Sequence, residues 1–418
     1  MIKDITITNS RSFKDTVVFS MEATSSESKS QNLINISEEE ALLKVGVLFG
    51  PNASGKTNLV QLLWELQGFV IGRDNWQTDL NGHYFPFWFN TNSLHRDIKI
   101  KIRFLYNNVD YVYSISFNKD MFTYEYLGIG EDEEGDAENA VWLLRRQITQ
   151  VGNHVFQINS DIFGAFLVPN EVKPNQTALN VFLSVQLDKI SPAAHYLANV
   201  KIANGYNDKM MEFLWHDAQS WLKGNEDRQK KLLSFLSHVD IGIKRFTLPT
   251  SEKGTSDFTD VQVYHDMFND NHKKVNYFRS PIGFESFGSR RLFLLGAKIL
   301  DSLETGMPFI ADEMDANFHS FITQFIIRIY QDERINRNNA QLIFTTHDTN
   351  VMDEKLLRKD QIWFVQKDVE GASQLYSLAD FNDVEENTSF ADWYLAKRFG
   401  AVPDIDSLAS LFGNEQTD

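Results

Sequence analysis

The 418-residue sequence contains no cysteine, and this absence removes several classes of protein at once. Disulfide-stapled folds, thiolate metal sites, iron–sulfur clusters and cysteine nucleophiles all require a thiol. Glycine and proline are also scarce, at 22 and 9 residues, which argues against low-complexity disorder. A chain without cysteine fits a reducing compartment, and we expect the protein to be cytoplasmic.

Long hydrophobic runs are missing as well. The longest, such as Val45–Phe49 and Leu292–Leu295, are far shorter than the roughly 18 residues that a membrane-spanning helix requires. The first residues also lack the apolar core of a signal peptide. We therefore expect no association with a membrane.

Positive charge is in the minority, because 40 Lys and Arg residues face 57 Asp and Glu residues and the net charge is −17. This balance argues against broad, nonspecific binding of nucleic acid phosphates. Net charge does not report how charges are distributed, so DNA contact through a local basic groove stays open.

The hydrophobic pattern divides the chain into regions of different character. Residues 1–75 and 276–418 alternate between strand and helix, which is typical of an α/β domain. Residues 76–174 show period-two alternation and predict a β-rich lobe, whereas residues 175–275 are mainly helical without a sustained heptad repeat. We predict a split α/β head, 1–75 joined with 276–418, that carries a β-rich lobe and a helical insertion. The aromatic run at 84–89 is expected to be buried in the lobe rather than to dock a partner.

A glycine-rich segment after a buried strand at 44–49 matches the phosphate-binding loop G-x-x-x-x-G-K-[ST]. Glycines allow backbone N–H groups to surround phosphate oxygens, and the start of the helix predicted from about residue 57 adds positive potential. Lys56 is expected to reach the β- and γ-phosphates, and the Thr57 hydroxyl to bind Mg²⁺. The predicted nucleotide site comprises Gly50, Pro51, Asn52, Ala53, Ser54, Gly55, Lys56, Thr57 and Asn58.

An acidic pair at the end of another apolar strand supplies the second half of a hydrolytic site. Asp312 and Glu313 follow the apolar residues 307–311. We assign Asp312 as the carboxylate that holds Mg²⁺ and Glu313 as the general base for the attacking water. His347 ends a further buried strand, at the edge where open α/β sheets bind ligands. A histidine in that position is, by itself, more often structural.

A second helix start offers groups that suit an anion. Ser286 and Gly288 precede an apolar helix predicted over 292–303, and a hydroxyl, backbone N–H groups and the helix dipole attract phosphate together. In isolation, a plain helix cap is the better interpretation of these two residues.

The order of these motifs resembles the ATPase head of ABC-type proteins. A P-loop is followed by a Ser-x-Gly helix start, a hydrophobic strand ending in Asp-Glu, then Asp315, and then a strand ending in His347. Segments at 7–13, 360–365 and 394–403 also resemble the OLD-like AAA/ABC ATPases of bacterial anti-phage and abortive-infection operons, the RloA/AbiLi type. The resemblance runs from end to end and is weakest in the middle helical segment. It implies a P-loop NTPase with an ABC-type ATPase head.

The resemblance further implies a head-to-tail homodimer, or a higher homo-oligomer, with two ATP molecules held between subunits. Ser286 and Gly288 would then reach the γ-phosphate from the partner subunit. His347 would sense that phosphate, and Asp315 would couple the two sites.

Within one subunit, the resemblance assigns a set of residues to the nucleotide and its Mg²⁺. Arg11 and Ser12 are expected to touch the nucleotide near its phosphates. The expected catalytic residues are Lys56, Glu313 and His347, and the expected metal ligands are Thr57 and Asp312.

Two features depart from the ABC pattern. Phe287 stands where transporter-type heads have glycine, which points away from transporters. No glutamine is convincing as the Q-loop residue, although Gln77 has a plausible position in the chain.

The function that the resemblance implies is that of an ATPase subunit in an anti-phage defence complex. ATP binding would close the dimer, and hydrolysis or ligand sensing would control a separately encoded effector, expected to be a nuclease. OLD nucleases carry a TOPRIM nuclease domain after a similar head, whereas the residues after His347 are few and offer no clustered acids. We therefore expect this chain not to cut DNA by itself.

Other functions fit parts of the pattern. A nucleotide-gated scaffold or sensor with little turnover would need the same site. An SMC-like DNA-repair ATPase is disfavoured by the missing coiled coil between Thr57 and Ser286, and a transporter subunit is disfavoured by the same long insertion.

Overall fold

The computed structural model describes residues 1–26, 28–73, 80–130, 140–148, 154–164, 172–205, 208–239, 241–249, 257–385 and 388–403. The strands in these ranges are β1 Ile2–Thr8, β2 Val17–Ser20, β3 Leu33–Asn35, β4 Ala41–Leu43, β5 Val45–Phe49, β6 Ile98–Tyr106, β7 Val109–Phe117, β8 Phe122–Ile129, β9 Val141–Ile148, β10 His154–Ile158, β11 Lys201–Ala203, β12 Arg245–Thr247, β13 Gln262–Phe268, β14 Lys274–Pro281, β15 Phe309–Ala311, β16 Leu342–Thr345, β17 Ile362–Lys367 and β18 Ser373–Ser377. The helices are α1 Lys56–Ile71, α2 Ser160–Phe163, α3 Ala178–Val181, α4 Ile190–Asn199, α5 Asp208–Leu222, α6 Glu226–His238, α7 Phe287–Thr305, α8 Ser320–Gln331 and α9 Phe390–Leu395.

A mainly parallel sheet, with the strand order β11-β15-β16-β5-β17-β18, carries the candidate site. Neighbours from β11 to β17 run parallel, and β18 is antiparallel to β17. Every residue of β5, β15 and β16 is buried, as expected for parallel strands covered on both faces. Because these three strands are adjacent and parallel, the residues that follow them, Gly50, Asp312 and Thr346, meet at one edge of the sheet.

Helices α1 and α7 each begin at a segment that the sequence predicts to bind phosphate. Helix α1 starts at Lys56, close to the predicted start, and buries Leu59, Leu62 and Leu66, whose helical spacing sets its inward face. Helix α7 starts earlier than the apolar run predicted, because the Ser286 side chain caps it by accepting a hydrogen bond from the Ser289 N–H at 3.1 Å.

Helices α5 and α6 pack against α7. The contact with α6 is close because Gly296 has no side chain; a Cβ there would lie 2.7 Å from the Phe235 ring. The buried face of α6 also includes Leu232 and Leu236. The mainly helical part of the chain is therefore anchored on the helix that begins at Ser286 and Gly288, the predicted Ser-x-Gly helix start, which we call the signature residues.

A second sheet is antiparallel, with the order β10-β9-β8-β7-β6-β1-β2. Its β6–β7 hairpin confirms the pairing expected from the alternating sequence. Strand β1, from the first predicted region, hydrogen-bonds along β6 of the predicted lobe, and β11, from the predicted insertion, lies at the edge of the parallel sheet. Strands from regions that were predicted to be separate therefore pair with one another in both sheets. The predicted boundaries between these regions stay a prediction.

The expected burial of the aromatic run at 84–89 is wrong for two of its residues. Phe87 is buried, but Trp88 is 61% exposed and Phe89 is 73% exposed. The segment is a loop outside the antiparallel sheet, tied down where the Phe85 carbonyl accepts a hydrogen bond from the Arg11 N–H at 2.6 Å. Within the described ranges, no helix has the length and hydrophobicity needed to cross a membrane.

Candidate nucleotide-binding site

The predicted phosphate loop lies between the end of β5 and the start of α1. Gly55, directly before the helix, has φ 116°, a conformation that favours glycine. A Cβ on Gly55 would lie 2.5 Å from both the Ser12 and the Ser373 hydroxyl oxygens. The loop is therefore pressed against two other segments of the chain, and only a glycine fits at this position.

Lys56 is the first residue of α1, and its side chain folds back over the loop. Its Nζ donates hydrogen bonds to the carbonyl oxygens of Gly50 at 2.8 Å and Pro51 at 3.0 Å. Burial lowers the pKa of Lys56 to about 8, although the charges of Asp312 and Glu313 oppose this shift. The ammonium group is thus held where an anion bound in the loop would meet it.

The carboxyl ends of the three adjacent strands converge on Asp312. Its Oδ1 accepts hydrogen bonds from the Thr57 hydroxyl at 3.2 Å and from the Thr345 hydroxyl at 2.7 Å. The Thr345 oxygen in turn accepts a hydrogen bond from the Glu313 N–H at 2.7 Å. Thr345 therefore joins both acidic residues to β16.

Sequence reasoning missed Thr345. The available signal was a hydroxyl residue at the end of a buried strand, two positions before His347. That signal is weak, because threonine is common in strands and its contact with Asp312 spans 33 residues of the chain.

The Thr57 hydroxyl and the Asp312 carboxylate fit a magnesium ion. Both are hard oxygen donors, and Mg²⁺ is usually held by one or two protein groups together with phosphates and water. Their hydrogen bond shows that the two side chains already point to the same place. Among the described residues there is no group of three His, Asp or Glu side chains that could hold a metal ion, so an ion here would also need phosphate and water oxygens.

His347 lies beside the same charged groups. Burial and the positive charge of Lys56 lower its pKa, while the charges of Asp315, Glu313 and Asp312 act in the opposite direction. The charges of the same three carboxylates also act to raise the pKa of Lys56. The structure therefore brings the predicted lysine, acids and histidine into one electrostatic cluster.

Asp315 lies one turn beyond the acidic pair. Its carbonyl accepts a hydrogen bond from the Phe318 N–H at 2.9 Å, which forms a tight turn. Its Oδ1 atom is buried and has no hydrogen-bond partner among the described residues. An orphaned acceptor of this kind is costly unless a ligand or water satisfies it.

Two residues from the connection between β1 and β2 border the loop. The Ser12 hydroxyl accepts a hydrogen bond from the Asn58 side chain at 2.6 Å, so both predicted residues lie beside Gly55. Arg11 forms an ion pair with the buried Glu65 at 2.6 Å and lies 4.6 Å from the centre of the Phe85 ring. Arg11 is thus positioned by α1 and the aromatic loop rather than by the phosphate loop.

The predicted signature residues lie at the exposed start of α7. Ser286 is exposed, and a Cβ on Gly288 would lie 3.0 Å from the Asn317 carbonyl oxygen. Among the described residues, neither forms a hydrogen bond with the phosphate loop of its own chain. Gln77, the candidate Q-loop residue, lies outside the described residues.

The strand order, the phosphate loop and the acidic strand end define an α/β P-loop NTPase and confirm the predicted fold class. Residues 46–170 and 212–353 match the model of the family described as "AAA domain, putative AbiEii toxin, Type IV TA system". These ranges cover more than half of the sequence, and the chain belongs to this family. The match supports the resemblance at the level of an AAA/ABC-type ATPase. It does not identify the OLD-like RloA/AbiLi type, which is a finer assignment.

Solved structures of SMC heads are among those that resemble this chain. The SMC head domain from Thermotoga maritima is 13% identical over 90% of this chain and 98% of that chain, with a TM-score of 0.41. The Smc head domain with a coiled coil and joint from Pyrococcus yayanosii is 10% identical over 95% of this chain and 99% of that chain, with a TM-score of 0.43. Likeness at this level does not bear on function. No curated protein sequence matches the chain.

Proposed function

We propose that this chain binds and hydrolyses ATP with Mg²⁺ and acts as the ATPase subunit of a bacterial anti-phage defence complex. The hydrolytic part is supported by the hydrogen bonds that join Thr57 of α1, Asp312 and Glu313 after β15, and Thr345 at the end of β16. A phosphate loop with a metal-binding pair and a second acid beside it is the set of groups that phosphoanhydride hydrolysis needs.

Each residue of the site has a distinct task in this reaction. Lys56 leaves its carbonyl partners and binds the β- and γ-phosphates, while Thr57 and Asp312 hold the metal. A Mg²⁺ ion held by these two residues would neutralise charge that develops on the phosphates. Glu313 accepts a proton from the attacking water, and His347 donates a hydrogen bond toward the γ-phosphate.

The dimeric arrangement rests on the exposed start of α7. Ser286 is exposed and lies between two exposed aromatic residues, Phe284 at 83% and Phe287 at 40% exposure. A face of this kind suits contact with a second copy, in which Ser286 and Gly288 would meet the partner's nucleotide. A head-to-tail homodimer, or a higher homo-oligomer built on it, is therefore part of the proposal.

The defence role rests on the family, whose description names a putative AbiEii toxin and a type IV TA system. It agrees with the resemblance of the sequence to OLD-like ATPases of the RloA/AbiLi type. In this role, nucleotide-dependent closure would control a separately encoded effector, a nuclease in our proposal, which would make the main contact with DNA. Co-expression with the neighbouring genes, followed by phage plating, tests this part: protection should be lost in Glu313→Gln.

Phosphate release by the purified chain tests the hydrolytic part. Wild type should release phosphate from ATP with Mg²⁺, and Glu313→Gln should bind ATP, lose turnover and accumulate as a dimer in size-exclusion chromatography. Glu212→Gln, an exposed residue of α5, is the matched control and should behave as wild type. If wild type and Glu313→Gln are equally inert with DNA and the neighbouring gene products, a nucleotide-gated scaffold replaces the ATPase.

A further inference from the structure

Arg291 is a fully buried arginine on the first turns of α7, three residues after Gly288. Its Nη2 donates a hydrogen bond to the backbone carbonyl of Glu313 at 2.5 Å. Its guanidinium carbon also lies 4.7 Å from the centre of the Phe318 ring. One side chain therefore contacts both ends of the 313–318 turn that follows β15.

The backbone of Glu313 needs such support. Its φ is 45°, in the left-handed region, which is unfavourable for a residue other than glycine. The Glu313 N–H is held by Thr345, and its carbonyl is held by Arg291 and by the Ala316 N–H at 3.0 Å. Because the backbone conformation sets the direction of the Cα–Cβ bond, these contacts set where the exposed Glu313 side chain begins and which positions its carboxylate can reach.

The start of α7 and the 313–318 turn also pack without a gap. The Gly288 Cα lies so close to the Asn317 carbonyl that a Cβ would be only 3.0 Å from it. Together with the two contacts of Arg291, this makes three points of attachment between the helix and the turn. A displacement of the start of α7 would therefore move the turn that carries Glu313.

We propose that Arg291 is a positioning residue that couples the start of α7 to the general base of its own subunit. The inference rests on the proposed function, in which α7 meets the partner's nucleotide while Glu313 acts on its own. Closure of α7 on one nucleotide would then orient Glu313 at the other, so that neither site turns over until both are occupied. Of the three attachments between the helix and the turn, the hydrogen bond of Arg291 is the one that holds the Glu313 carbonyl itself.

The coupling predicts a specific pattern in the kinetics. Arg291→Met keeps the length of the side chain but removes its donors, so kcat should fall about 10- to 100-fold with little change in KM for ATP. Cooperativity in ATP should fall as well, with the Hill coefficient moving toward one. Arg291→Lys keeps a charged donor near the carbonyl and should recover part of kcat.

Arg358→Met is the control that distinguishes a positioning role of Arg291 from a general loss of protein stability. Arg358 is also buried and donates to backbone carbonyls, including that of Ser26 at 2.9 Å, but it lies outside the site. Arg358 also pairs with the buried Asp360 at 2.7 Å, so its methionine variant should be clearly destabilised while keeping cooperativity and kcat. Equal losses of kcat in the two methionine variants, or an unchanged Hill coefficient in Arg291→Met, would overturn the proposal.

Hydrogen exchange supplies a test that needs no turnover. Without nucleotide, the Ala316 amide should exchange faster in Arg291→Met than in wild type or Arg358→Met, because its acceptor is no longer held. Unchanged exchange would overturn the structural link, whereas an inert wild type with the expected exchange pattern would count against the proposed ATPase alone.

Discussion

Thr345→Val is the sharpest single test of how the acidic strand end is built. Valine has nearly the same shape, so the change removes the hydroxyl and little else. The variant loses a hydrogen bond to the Asp312 carboxylate at 2.7 Å and one from the Glu313 N–H at 2.7 Å. A buried bond to a charged group contributes about 1.5–3 kcal/mol and a neutral one about 0.5–1.5 kcal/mol. We therefore expect the free energy of unfolding to fall by about 2–4 kcal/mol.

Thr345→Ser is the matched control, because it keeps the hydroxyl and loses only one methyl group, at a cost of about 1 kcal/mol. Guanidinium denaturation of both variants, followed by tryptophan fluorescence, measures the difference in unfolding free energy. Phosphate release should fall in Thr345→Val at temperatures where the protein is folded, since Glu313 loses its anchor. Equal stability of the two variants, together with wild-type turnover in Thr345→Val, would refute the reasoning.

Two further predictions concern the charge of Lys56 in the phosphate loop and the hydrogen bonds of Gln341, which link the parallel sheet to β1 of the antiparallel sheet. Because burial lowers the pKa of Lys56 to about 8, its ammonium form is complete below that pH and is lost above it, so ATP affinity should weaken as pH rises from about 7 to 9. His347 does not contribute there, since its lowered pKa leaves it neutral; a flat profile in fluorescence titrations would contradict this account. Gln341→Leu should lower the free energy of unfolding by about 2–4 kcal/mol, because the buried amide bonds Ile2 in both directions and donates to the Leu43 carbonyl at 3.1 Å. If Gln341→Leu unfolded at the same denaturant concentration as wild type, this amide would not contribute to holding the two sheets together.

Much of the fold could be predicted because its signals are local. The β6–β7 hairpin follows from strict alternation, and α1 follows from leucines at helical spacing after a glycine-rich loop. The aromatic run at 84–89 shows the limit of such reasoning. Hydrophobicity alone favours burial, but Trp88 and Phe89 belong to a loop. A loop lacks the regular repeat of a strand or helix that would direct their side chains toward the core.

The supporting residues of the site could not be predicted for a different reason. Thr345 and Arg291 have ordinary sequence neighbours, and each acts on a residue 22 or more positions away. The contact of Thr345 exists because β16 aligns beside β15, with Phe344 opposite Ala311. A shift of the register by one residue would point the hydroxyl to the other face of the sheet.

The sequence by itself determined the phosphate loop, since its chemistry depends on backbone N–H groups and on consecutive residues that carry their own geometry, such as Gly55 before Lys56. It also determined that Asp312 and Glu313 would end a buried strand. The order of the motifs also predicted that Thr57 and Asp312 would meet at one metal ion, and the two side chains are hydrogen-bonded in the structure. Only the tertiary structure decided that Arg291 and Thr345 would hold the backbone of Glu313 from two sides. Hydrogen bonds are short and directional, so these contacts depend on strand order, register and helix packing that no local pattern specifies.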